Sequence, residues 1–559
     1  MPEAEWDALQ REVRELASRV AQLESQLGLT RQAAETPPVE SPRSVVPPDA
    51  VSLFPLAGRA LLGLAGAYLL RSLTESGAIP AKAGAATGIL YAMAWLVWAA
   101  RTPATRRLET AVHGLTSVLI LSPLLWEATL NLHAIPNWMA SAMLIVFGIF
   151  GLAVSWRKNL LAVATIVTLA VLGTSAALLL ATHDLPPFTT AFLAIGAAVE
   201  ASACLDHWLG ERWLAAAATD LSVLLAAWLA TNPRGLPEIY APISHTWLIC
   251  ALAALAAIYL SSTIVRTLWR GFPFTGFEIA QSSVAFAITL DGGLRLSHTD
   301  PRLSPAIGTL ALIGGVACYL LSFLKLEGQG GTTRNFYTYS TFAIALVLAG
   351  TGILSSGNPE ALWFLLAIAG AVAGRFFGRM TLSVHAAAFL LLALVSSGAA
   401  LQASAMLLGS APWDGATLAA LWMGAVAAVL AYLFTARTFQ AVRLITAAAA
   451  VCCCAGTAAG ALTAVYHYTF GADANVAYCA TLRSAVLAGT ALLLAWSAAR
   501  WKYLELSRLI YPAMILGGYR LLTHDLHEQK AALFLSLLIY GAALTALPRL
   551  KKAAPGAVG

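Results

Sequence analysis

The sequence predicts an all-α fold: a polytopic transmembrane helical bundle of about eighteen spans behind a short amino-terminal coiled-coil helix. Three observations predict it. Apolar runs of about 20 residues, the length a helix needs to cross a bilayer at 1.5 Å per residue, recur along the chain. Of the 559 residues, 59% are hydrophobic and only 11% charged, against roughly 25% charged in soluble domains. The basic residues, finally, favour alternate connections between the runs, as topology signals do.

In residues 1–30, Trp6, Leu9, Val13, Leu16, Val20, Leu23 and Leu27 follow one another three and four positions apart. That spacing draws one apolar stripe of 3.5-residue period. With Trp6, Val13, Val20 and Leu27 at a, and Leu9, Leu16 and Leu23 at d, the pattern favours two parallel strands, so a homodimer through this helix is expected. Arg19 at g and Glu24 at the following e allow an interchain ion pair. The competing reading of the stripe is an amphipathic helix docked on the membrane or on its own domain. Residues 31–52 read as a linker, because the prolines of Thr36–Asp49, TPPVESPRSVVPPD, prevent a continuous helix.

The membrane domain, residues 53–548, opens on Leu53–Leu73, LFPLAGRALLGLAGAYLLRSL. Its only charges, Arg59 and Arg71, lie near its ends, where basic side chains snorkel to headgroups. Further spans are expected near 82–100, 109–126, 136–154, 159–181, 188–204, 213–231, 244–265 and 277–294. The series continues near 304–325, 336–354, 360–376, 380–400, 416–435, 438–462, 482–500, 506–522 and 530–548.

Arg101, Arg106, Arg107, Arg157, Lys158, Arg212, Arg266, Arg270, Lys325, Arg334, Arg375, Arg379, Arg437, Arg443, Arg500, Lys502, Arg508 and the basic tail 549–559 fall on one set of connections. Only Lys82, Arg234, Arg295, Arg302, Arg483 and Lys530 fall on the other. That bias places both termini in the cytoplasm of a bacterial cell, with the chain in its inner membrane. The lipid bilayer is therefore the expected partner. Nucleic acid is not, since the basic residues stand singly or in twos and threes.

Seven cysteines without a CxxC pair argue against zinc or redox chemistry, and no cofactor is expected. Cys479 alone is expected in a loop. Gly370, Gly374 and Gly378, with Gly84/Gly88 and Gly456/Gly460, repeat a four-residue spacing that suits close helix seams.

Ionisable residues inside spans cost roughly 2.5–3.5 kcal/mol each on insertion scales. Glu200 and Asp220 lie on consecutive spans at matching depth from the segment Leu205–Arg212, so the two carboxylates could share a proton. The alternative is a separate polar contact for each, with Ser202 or Thr219 as partner. Asp291/Arg295 and Arg71/Glu75 read as local i,i+4 ion pairs. His113, His245, His385 and His467 read as satisfied polar contacts. In the last loop, Thr523–Lys530, His524 and His527 would share a helical face and could bind a metal; a plain polar turn is the other reading. No Walker loop, nucleophile elbow or HExxH occurs, so no catalytic residue is assigned.

The order of heptad helix, proline-rich linker and many spans, together with GRALLGLAGAYLLR at the opening span and GGYRLLTHDL near the end, resembles an uncharacterised bacterial polytopic family, domain of unknown function 2339. The resemblance implies a multi-spanning envelope protein without a defined activity, and it draws attention to Arg520 and Asp525. Three functional readings follow: a non-catalytic envelope scaffold or assembly factor, a secondary transporter or lipid flippase using intramembrane carboxylates, and an intramembrane lipid or glycosyl transferase.

Overall fold

The computed structural model describes residues 50–103, 105–205, 211–326, 333–355, 358–409, 415–471, 476–523 and 530–552, together with Glu15, Ser18 and Arg19. The heptad residues Trp6, Leu9, Val13, Leu16, Val20, Leu23 and Leu27, the linker, and Asp525, His524 and His527 of the last loop lie outside the described residues. Near the amino terminus, Arg19 pairs with Glu15 one helical turn away at 3.1 Å.

Among the described residues the secondary structure is helical, without a strand. The helices are α1 (Ala50–Glu75), α2 (Ala81–Arg101), α3 (Arg107–Leu130), α4 (Asn137–Lys158), α5 (Leu161–Thr182), α6 (Leu185–Cys204), α7 (Arg212–Ala230), α8 (His245–Ile264), α9 (Gly276–Ser297) and α10 (Leu303–Leu320). They continue with α11 (Thr333–Leu354), α12 (Glu360–Phe376), α13 (Met380–Ser396), α14 (Ala399–Leu408), α15 (Gly415–Phe434), α16 (Gln440–Phe470), α17 (Val476–Trp501), α18 (Leu504–Thr523) and α19 (Lys530–Lys552). Five- and six-residue π-helical turns, Val265–Trp269 and Leu321–Leu326, extend α8 and α10.

A helix stands at each expected span, and α14 is an addition. Eleven of the described helices are long and apolar enough to cross a membrane, and counting the bent pair α13/α14 as one span gives twelve.

Two stretches left between expected spans turn out to be largely helical. Residues 401–415, between the expected spans 380–400 and 416–435, carry most of α14, because Gly398 adopts a left-handed φ of 71° that breaks the backbone while the apolar sequence after it resumes a helix. The two helices meet at a 65° bend. Residues 464–481, between the expected spans 438–462 and 482–500, are mostly helix as well: α16 continues to Phe470 and α17 begins at Val476. A hydropathy window ends where polarity rises, not where the helix does.

The chain divides into two compact units. The first comprises Met1–Ile135 and Ala153–Ala170. In it, α1 and α3 are joined near both ends by ion pairs, Arg59–Glu109 at 2.9 Å and Arg71–Glu127 at 2.8 Å. The two expected snorkelling arginines thus have carboxylate partners. A Cβ on Gly84 would overlap Thr74, and one on Gly88 would come within 2.6 Å of Leu124, so this glycine pair is the seam the sequence suggested. Lys158 donates from Nζ to the carbonyls of Ala99, at 2.7 Å, and Thr102, and so closes the last turn of α2.

The second unit comprises Pro136–Leu152 and Val171–Gly559. Its central core is built largely from alanine, including Ala367, Ala371, Ala393, Ala403, Ala428 and Ala431, while Leu391, Leu401, Trp422 and Leu433 point outward. Small residues inside and large apolar ones outside are what helix association in lipid requires. At the seam of α14 on α16 the approach is backbone to backbone: a Cβ on Gly456 would lie 2.7 Å from both Cα and O of Ala403. Gly370 and Gly374 abut Ala386 and Ser383 in the same manner, whereas Gly378 lies beyond the end of α12 with φ of 67° and serves a turn.

Candidate functional site

Helices α6 to α9 of the second unit bring together most of the buried charge. Thr275 and Glu278 start α9 with a reciprocal cap: Glu278 N donates to Thr275 Oγ1 at 3.4 Å, and Thr275 N donates to Glu278 Oε2 at 2.7 Å. The cap fixes the carboxylate in place, and two guanidiniums converge on its other oxygen. Arg266 donates to Glu278 Oε1 at 2.6 Å and Arg212 does so at 3.2 Å. Arg266 lies in the π-helical turn after α8, and its Nη1 also donates to the Ala203 carbonyl near the end of α6.

Arg212, the first residue of α7, also grips Glu200 of α6 with Nε–Oε1 at 3.0 Å and Nη2–Oε2 at 2.8 Å. Ser262 of α8 adds a hydrogen bond to Glu200 Oε2 at 2.5 Å, and the Phe277 ring covers the Arg212 guanidinium at 4.4 Å. All four side chains are at most 5% exposed. Two arginines and two glutamates leave no net charge, and each carboxylate has two or more donors. That is the condition under which ions survive burial.

Arg212 and Arg266 were expected as topology signals at span ends. Both lie at helix ends, and the structure buries both. Arg443 repeats the pattern elsewhere in the unit: it pairs with Glu505 at 2.7 Å, donates to the Thr435 carbonyl at 2.8 Å, and lies over the rings of Tyr432 and Tyr503.

Asp220 is held differently. A little over two turns into α7, it accepts a hydrogen bond at Oδ2 from Gln281 Nε2 of α9 at 2.8 Å. Its Oδ1 is buried with no hydrogen-bond partner, and no basic side chain of the described residues forms an ion pair with it. The hydroxyl of Tyr259 on α8 is likewise buried and has no hydrogen-bond partner. Thr219 Oγ1 and Tyr259 Oη both face Gly196 of α6, at 2.9 and 3.7 Å from where its Cβ would be. A larger residue at 196 would displace them. Glu200 and Asp220 therefore occupy adjacent helices but have separate partners, an arginine for one and a glutamine for the other. Ser262, not Ser202, supplies the hydroxyl to Glu200.

The remaining candidates are distributed. Arg520, 1% exposed, donates from Nη1 to the Leu407 carbonyl in the last turn of α14, a partner on another helix. Asp291–Arg295 and Arg71–Glu75 both form the expected local pairs at 2.7 Å. His113 contacts Thr102 Oγ1 at 3.4 Å, and His385 bonds the Tyr319 hydroxyl at 2.8 Å. Cys479, expected in a loop, is instead a buried residue of α17 at 3.4 Å from His467 Nε2, because that helix begins six residues before the expected span. Among the described residues, no group of three His, Cys, Asp or Glu side chains could hold a metal ion.

Sequence reasoning singled out Glu200 and Asp220 but missed Glu278, Gln281, Tyr259 and Arg266 as their surroundings. One signal was present: Thr275-Gly-Phe-Glu278 has the T-x-x-E spacing of a capping box at the start of an apolar run. No family model, curated protein or solved structure matches the chain.

Proposed function

We propose that the protein is a secondary transporter of the bacterial inner membrane in which Asp220 takes up and releases a proton. One observation carries this reading. Glu200, Glu278 and Glu505 each have an arginine, whereas Asp220 is buried with one oxygen lacking any partner. A buried carboxylate without a countercharge carries a desolvation penalty of several kcal/mol, which a proton relieves. Ionisable groups of this kind inside helical bundles mark ion and proton pathways. Glu200, the other carboxylate singled out from the sequence, is neutralised by Arg212 and serves to hold the bundle.

The test is counterflow in proteoliposomes. With a pH gradient imposed and a panel of amino acids, sugars and short-chain acids supplied, wild-type vesicles are expected to dissipate the gradient with at least one solute. Asp220→Asn vesicles should do so with none. Wild-type vesicles as tight as protein-free ones against the whole panel would remove the proposal.

A scaffold or assembly factor is the second reading, favoured by the neutral Glu200–Arg212–Glu278–Arg266 chain that cross-links four helical elements. In either case we propose both termini in the cytoplasm and a heptad helix that pairs two copies, in keeping with the basic bias of alternate connections and the resemblance to domain of unknown function 2339. Removal of residues 1–50 separates the readings. It should abolish the phenotype of a scaffold and leave gradient dissipation by a carrier intact.

A further inference from the structure

The first unit holds a cavity of about 260 Å³ with walls from Leu64, Ala67 and Leu70 of α1 and Ile120 and Leu124 of α3. That is close to the lower end of small-ligand sites, roughly 300–1,000 Å³, and suits part of a single acyl chain. Arg71 and Glu127 line the same cavity. There Arg71 is shared by two carboxylates, Nε to Glu75 at 2.7 Å and Nη2 to Glu127 at 2.8 Å. The local balance is one negative charge in excess. Arg71 and Glu75 are each nearly half exposed, so the excess charge is open beside the apolar cavity.

We propose that this cavity binds the acyl chain of a phospholipid whose headgroup ends in a primary ammonium, with the ammonium set against Glu75 and Glu127. The walls select a hydrocarbon chain and would reject a polar solute, which would leave its hydrogen bonds unmade. The mouth selects the headgroup. A cation completes the charge balance of two carboxylates around one guanidinium, and a primary ammonium supplies three donors to carboxylate oxygens. An anionic headgroup would meet the excess negative charge and is disfavoured.

The experiment uses the full chain in detergent and native mass spectrometry, with dioleoyl phosphatidylethanolamine or dioleoyl phosphatidylglycerol added. Wild-type protein is expected to retain one phosphatidylethanolamine, with a preference over phosphatidylglycerol of about five-fold, the ratio of a partly exposed ion pair. Ala67→Phe, which fills the cavity from α1, should lose retention of both lipids. Glu127→Gln, which removes the excess charge and leaves the walls intact, should keep lipid binding and bring the two headgroups close to parity. Equal retention of the two lipids by wild-type protein overturns the proposal. So does retention unchanged in Ala67→Phe, or an ammonium preference that survives in Glu127→Gln.

Discussion

Arg212 closes on Glu200 through two parallel hydrogen bonds, 3.0 and 2.8 Å long, and reaches Glu278 with its remaining Nη1 at 3.2 Å. One guanidinium thus ties α7 to both α6 and α9. Arg212→Gln leaves Glu200 buried without a cation, and breaking one side of a buried pair costs about 3–5 kcal/mol. Glu278 keeps Arg266, so the loss is concentrated on Glu200. The double variant Glu200→Gln/Arg212→Gln removes both charges and should recover more than half of that loss. Thermal unfolding in detergent, followed by tryptophan fluorescence, measures both; a double variant as unstable as the sum of the singles would contradict the pairing.

The cap at the start of α9 separates two roles of one carboxylate. Thr275→Ala removes only the acceptor for Glu278 N, a loss of about 0.5–2 kcal/mol. Glu278→Gln keeps an acceptor for Thr275 N but strips two arginines of their common partner, so it should cost more than Thr275→Ala by at least about 1 kcal/mol. Urea or thermal unfolding of the two variants side by side gives the order, and equal effects would mean that Glu278 matters as a cap alone.

Much of this architecture is legible in the sequence. The apolar runs marked where the helices lie, since a run of about 20 apolar residues has few other ways to satisfy its backbone. Glu200 and Asp220 stood out because charge inside such a run needs a reason. The arginines around them did not stand out, because Arg212, which pairs with Glu200, and Arg266, which pairs with Glu278, sit at span ends, where a basic residue already has an explanation as a topology signal. The pairing of Arg266 with Glu278 depends on a π-helical turn, and that of Arg520 with the Leu407 carbonyl depends on a helix break at Gly398. Neither is written in hydropathy. Helix ends were displaced for the same reason: α17 starts before its apolar stretch does, which moves Cys479 from a loop into the helix.

The seam between α14 and α16 makes a sharp contrast between two glycines. Gly456→Ala would set a Cβ 2.7 Å from the Ala403 backbone, which cannot yield as a flexible side chain would, so a loss of about 1–3 kcal/mol is expected. Gly489→Ala, in the interior of α17, meets nothing within 4 Å and should gain about 0.5–1 kcal/mol through helix propensity alone. Melting temperatures that move in the same direction for the two variants would refute the close approach.

Asp220→Asn should uncouple stability from function. The amide keeps an acceptor for Gln281 Nε2, 2.8 Å away in the wild type, and replaces the buried, unpartnered Oδ1 with an uncharged group. The desolvation penalty of a buried, unpaired carboxylate is removed, so the variant should be at least as stable as the wild type, by up to about 2 kcal/mol. A side chain without a titratable proton cannot load and release one, so gradient dissipation should disappear. The relevant comparison is therefore the melting temperature and the proton flux of the same preparation. A stable Asp220→Asn protein that still moves protons would place the titrating group elsewhere. A variant destabilised as much as Arg212→Gln would instead put Asp220 among the residues that hold the bundle together, as a structural acceptor for Gln281 and nothing more.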